Sequence, residues 1–76
     1  MYINITISLS EQQFDVSVDD RQRIGDVIRV LKESGKYNGN VDVARFKSVI
    51  GETVVDAEQT FSSYGILSGD HLVALE

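Results

Sequence analysis

Seventy-six residues allow one modest core, since a chain this small buries only about 60% of the surface its unfolded form exposes. An apolar fraction of 42% and a charged fraction of 25% belong to a folded protein rather than a disordered one. A net charge of −5, with seven basic against twelve acidic residues, argues against nucleic-acid binding, which rests on neutralising phosphates. The chain has no cysteine, so it has neither a disulfide framework nor a thiolate metal site. No apolar run approaches the ~20 residues that cross a bilayer, and no basic and apolar leader precedes the first strand pattern. A single cytoplasmic domain over residues 1–76, without membrane insertion, is expected.

Tyr2–Leu9 alternates with a period of two. Ile3, Ile5, Ile7 and Leu9 fall on one face and Tyr2, Asn4, Thr6 and Ser8 on the other, which predicts a half-buried strand. Ser10-Glu11-Gln12-Gln13 is a polar break, after which Phe14–Val18 alternates again, so the pair reads as a hairpin. Asp19 and Asp20 read as a helix-start signal, because either can offer an acceptor to a helix N-terminus. From Ile24 the period becomes helical. Ile24, Val27, Ile28 and Leu31 form one stripe, surrounded by Arg23, Asp26, Arg29, Lys32 and Glu33, and predict a helix at about 23–34. Gly25 falls in its first turn, and Gly35 is the expected C-terminal stop.

Residues 36–42, with Gly39 between two asparagines, read as a loop. Val43–Ile50 is expected to be the third strand, with Ala44, Phe46, Ser48 and Ile50 inward and Val43, Arg45, Lys47 and Val49 outward. Gly51-Glu52 turns the chain into a short strand, Thr53–Val55, and the polar stretch Asp56–Thr60 has room for one helical turn. Past Phe61, Tyr64 and the polar turn Ser68-Gly69-Asp70, His71–Leu75 is the closing strand. It turns Leu72 and Ala74 inward and His71, Val73 and Leu75 outward. One helix has to cover the apolar face of the whole sheet. The expected class is therefore α+β, a β-grasp: a mixed five-stranded sheet on one helix in the order β-β-α-β-β-β, with first and last strands parallel at the centre.

The joint pattern resembles ubiquitin over essentially the whole chain. Ile3, Ile5, Phe14, Val16, Val18, Ile24, Val27, Leu31, Val55, Phe61, Tyr64, Ile66, Leu72 and Ala74 fall where ubiquitin places its core. The resemblance implies that the Tyr64 hydroxyl reaches the backbone near Asp56. Within that superfamily, the opening M-Y-I-N-I-T-I-S-L and the ending G-I-L-S-G-D-H-L-V-A-L-E look most like the YukD/EsaB proteins, small ubiquitin-like proteins of the bacterial type VII (WXG100) secretion system. Related domains occur at the N-terminus of a membrane component of that apparatus. The resemblance implies a non-enzymatic accessory or regulatory role, with other secretion components as partners and recruitment to the inner face of the cell membrane. The alternative is a modifier or sulfur carrier. Those relatives need a terminal Gly-Gly, whereas the glycines here are 25, 35, 39, 51, 65 and 69 and the sequence closes on Glu76, so covalent conjugation is not expected.

No catalytic, cofactor or metal constellation stands out. His71 is the only histidine, and Asp70 beside it points to the opposite face of a strand. Asp19-Asp20 lacks the ligand spacing of a calcium loop, and Ser62, Ser63 and Ser68 have no partner base and read as turn formers. The glycines form no phosphate loop. The candidate site is instead a protein-binding face: Val49, Val73 and Leu75, apolar and directed away from the helix, beside Arg45, Lys47 and His71.

Overall fold

The computed structural model describes residues 1–39 and 42–75. Five strands form one sheet: β1 (Tyr2–Leu9), β2 (Gln12–Asp19), β3 (Arg45–Ser48), β4 (Thr53–Asp56) and β5 (His71–Leu75), in the spatial order β2-β1-β5-β3-β4. β1 and β5 run parallel at the centre, and the remaining pairs are antiparallel. One helix, α1 (Ile24–Glu33), presents Ile24, Val27, Ile28 and Leu31 to the apolar face of the sheet. This is the β-grasp expected from the pattern.

The core follows from the two periods. Ile3, Ile5, Ile7 and Leu9 of β1 are all buried, as are Val18, Phe46, Val55 and Leu72 from the other four strands. The β1–β2 turn is tighter than the polar run suggested. Leu9 pairs with Gln12, which leaves only Ser10 and Glu11 between them, and Ser10 takes a left-handed φ of 55°. β2 therefore begins two residues before Phe14. α1 ends as Gly35 allows. Gly35, at φ +80°, donates to the Lys32 carbonyl and Lys36 to that of Leu31, closing the helix with paired reverse bonds.

Four local readings need correction. The cap residue of α1 is Arg23, with no side-chain cap bond, so Asp19 and Asp20 do not start the helix. They hold the preceding turn instead. Asp19 pairs with the Arg21 guanidinium at 3.0 Å and accepts its backbone N–H at 3.0 Å, and this hydrogen bonding keeps the half-buried carboxyl well below the usual carboxylate range. Asp20 takes the N-terminal ammonium at 3.4 Å. The third strand is shorter than Val43–Ile50. Alternation holds only over Arg45–Ser48; before it Val43 is buried and Ala44 exposed, and after it the chain turns, leaving Ile50 61% exposed rather than inward. The helical turn expected in Asp56–Thr60 lies further on, at Ser62–Tyr64. Tyr37, in the stretch read as a plain loop, is 1% exposed and stacks edge-on against Phe14 at 6.0 Å. A Cβ on Gly39 would overlap the Tyr37 ring, so glycine is required there. Asn40 and Val41 of that loop lie outside the described residues, as does Glu76, on which the expectation about a Gly-Gly tail rests.

The Tyr64 hydroxyl accepts the Asp56 backbone N–H at 3.0 Å, the bond the ubiquitin resemblance implied. Tyr64 is only half-buried, so water can replace part of what the phenol supplies. Tyr64→Phe should lower stability by about 1 kcal/mol, the usual net value of one hydrogen bond. A denaturant midpoint equal to the parent's would show that the bond contributes nothing.

Candidate functional site

The strand registers settle which side chains share the outer face. Ser8 pairs with Val73, Val73 with Lys47, and Lys47 with Val54, so these four form one row across four strands. A second row runs Leu75–Arg45–Asp56, and Thr6 with His71 forms part of a third. Val49 follows β3, and its N–H donates to the His71 carbonyl at 3.0 Å, which sets it beside that third row. Arg45, Lys47, Val49 and Leu75 are exposed, while His71 and Val73 are half-buried because β5 is central. The structure thus brings the six residues singled out from the sequence onto one surface. It adds exposed Val54, which the sequence reading passed over because an isolated valine in a four-residue strand carries no pattern. Neither Arg45 nor Lys47 makes an ion pair with a described residue.

A buried polar cluster beneath the surface fixes Val49. Asp70 is 3% exposed and lies at the entry to β5. Its carboxylate accepts the Ser48 hydroxyl at 2.5 Å, the Ile50 N–H at 3.1 Å and the His71 N–H at 2.7 Å. Ser48 Oγ in turn accepts the Gly51 N–H at 3.1 Å. One carboxylate therefore ties the β3–β4 turn to β5, and Val49 and Ile50 are presented by a rigid corner. Ser68 has a comparable role on the β1 side of the same entry, where its hydroxyl accepts the Asn4 N–H at 3.0 Å and extends the pairing with β1.

Ser8 Oγ and His71 Nε2 are 2.6 Å apart, the spacing of a nucleophile and its base. The pair lies on an open sheet face, and among the described residues no carboxylate orients the other ring nitrogen. It reads as a polar cross-strand pair. Among the described residues no group of three or more His, Cys, Asp or Glu is placed to hold a metal. A cleft of about 820 Å³ opens at the start of α1, but it mixes Arg23 and Arg29 with Asp26, Asp42, Asp56 and Glu58, and the first helix N–H groups are taken by the carbonyls of Gln59 and Ala57. No described helix is long and apolar enough to cross a membrane.

A mixed sheet with this order and one covering helix defines a ubiquitin-like fold, and solved structures bear this out. The ubiquitin-like domain of the Arabidopsis thaliana protein At2g32350 superposes with a TM-score of 0.73 at 17% identity, over 97% of this chain and 76% of that one. Ubiquitin from Caldiarchaeum subterraneum gives 0.64 at 16% identity, covering 100% of this chain and 96% of that one. The EccD5 ubiquitin-like domain from Mycobacterium xenopi gives 0.62 at 16% identity, covering 99% and 93%. No protein-family model matches the chain, and no curated protein does.

Proposed function

We propose that the protein is a non-enzymatic, ubiquitin-like accessory or regulatory component of type VII protein secretion, which works by docking its outer sheet face onto another protein of that apparatus. One observation carries the docking: Val73, Val54, Val49 and Leu75 share a face with two cations that no described carboxylate pairs. An apolar centre with a charged rim is the anatomy of a protein interface. On a chain of net charge −5 this basic rim favours a partner with an acidic one, which would set the approach rate and orientation. The secretion reading draws on the YukD/EsaB-like opening and closing stretches and on the fold shared with the mycobacterial EccD5 domain. The plant and archaeal proteins have the same fold, so the fold alone does not choose among their roles.

The test is capture of the partner from the native host, followed by affinity measurement. Val49→Asp should weaken binding by about tenfold or more, since it puts an unpaired charge into a desolvated contact. It should leave the melting temperature nearly unchanged, because Val49 is exposed in a turn. Arg45→Glu should weaken binding more at low salt than at high salt. Normal affinity in both variants would move the docking surface elsewhere. Normal export of WXG100 proteins after deletion of the gene would remove the secretion role.

A further inference from the structure

β2 is the longer of the two sheet edges, eight residues against four in β4, and its register with β1 tells which of its backbone groups are spent. Asp20 donates to the Met1 carbonyl, and the same antiparallel alternation continues along the strand. The even-numbered residues of β2 therefore bond to β1, and Gln13, Asp15 and Ser17 turn their N–H and C=O outward. No other described element pairs with them. Beside this edge a groove of about 390 Å³ runs between β2 and α1, its floor lined by Val16, Val18, Val27, Val30 and Leu31 and its rim by polar residues that include Gln22, Ser34 and Lys36. The helix does not cover it. Phe14 and Val16 remain half-buried although they point to the core side, and Val30 is 57% exposed.

We propose that the β2 edge and this groove form a strand-addition site for an extended segment of a partner protein with the pattern apolar–basic–apolar. Outward backbone groups at every second residue are satisfied by another strand, whereas a helix has already used its own. Side chains paired with Phe14 and Val16 would enter the groove beside Val30. The one between them would lie on the outer face opposite Asp15. Asp15 Oδ1 accepts the Thr6 hydroxyl at 2.7 Å, and Oδ2 has no partner among the described residues, so a lysine or arginine is the matching cross-strand residue. A second copy of this chain fits less well, because two β2 strands centred on one another bring Asp15 against Asp15. The site lies at the opposite edge of the sheet from Val54 and meets the other face along the Asp15–Thr6–His71 row, so Val54 and Val73 report that face independently.

The probe is a display library of short random peptides selected against the whole chain. Enriched peptides should share an apolar–basic–apolar core, and their binding should slow amide exchange at Gln13, Asp15 and Ser17 while leaving Val54 and Val73 unaffected. Asp15→Lys should weaken them by at least about fivefold, and selection against that variant should replace the basic residue with an acidic one. Ser17→Pro removes an outward donor without touching the pairing to β1, and should abolish binding. The proposal is overturned if no peptide is enriched, if Asp15→Lys binds the peptides as well as the parent, or if the protected amides lie on β4 and β5. It is also overturned if the β2 amides become protected with rising protein concentration alone, which would make a second copy the occupant.

Discussion

Phe61→Ala should destabilise the protein by about 3–5 kcal/mol, the range for removing a fully buried aromatic ring. Phe61 is wholly buried in the core cluster. It is also held by its backbone, donating to the Gln22 carbonyl at 3.3 Å while its own carbonyl accepts from Tyr64 and Ile66. A side chain anchored this way cannot shift to refill the space, so the cavity term should be near its maximum. Domains have only about 5–15 kcal/mol of stability in total, and one of this size has little to spare. Urea titration should show an earlier midpoint with an unchanged slope, and Ile50→Ala, at an exposed position, should hardly move it. Equal midpoints for Phe61→Ala and the parent would mean that the loop before Ser62 does not belong to the core.

Asp70→Ala should cost about 3 kcal/mol or more, because it strands a buried hydroxyl and two backbone N–H groups at once. Asp70→Asn is the informative companion. Its carbonyl can still accept from Ile50 and His71, but its amide cannot take the Ser48 proton, so about 1 kcal/mol is expected. The alanine variant should also loosen the corner that presents Val49, and any partner of the sheet face should bind it more weakly than its remaining folded fraction accounts for. If alanine and asparagine variants unfold at the same urea concentration as the parent, water serves these groups as well as the carboxylate does.

Asp70 also shows where the sequence stops being informative. β1, α1 and β5 were legible because each repeats a burial period often enough to be unmistakable: four isoleucine and leucine positions in β1, four stripe positions in α1. The β-grasp order followed from one helix having to cover one sheet. Ser48 and Asp70, by contrast, are polar residues twenty-two positions apart; alternation turned Ser48 inward but offered it no partner, and Asp70 looked like a turn residue. Their burial depends on their meeting, which no local pattern encodes. Tyr37 was missed for a related reason. It follows the helix stop, where the chain folds back without periodicity, and its partner Phe14 lies on the first hairpin. Ile50 misled in the opposite direction, since the alternation of β3 was carried past the point where Asp70 pulls the chain into a turn. The candidate face was legible to the extent that β5 and the middle of β3 were, and Val54 joined it only once the β3–β4 register was known.

In the sheet order β2-β1-β5-β3-β4, the two hairpins touch only through β5. On the ribosome the β1–β2 hairpin and α1 emerge before β3–β4, and within the sheet no strand yet joins them. Residues Thr6 and His71, neighbours in the finished sheet, stand 65 positions apart in the sequence. Pairing this distant is slow to form and cannot begin until His71–Leu75 has left the exit tunnel. Until then the apolar flanks of β1 and β3 stand open to any strand that arrives first. A chain whose synthesis stopped before His71 would therefore hold two halves not joined in the sheet, exposed to proteases and to aggregation, and the five residues His71–Leu75 decide whether either half survives.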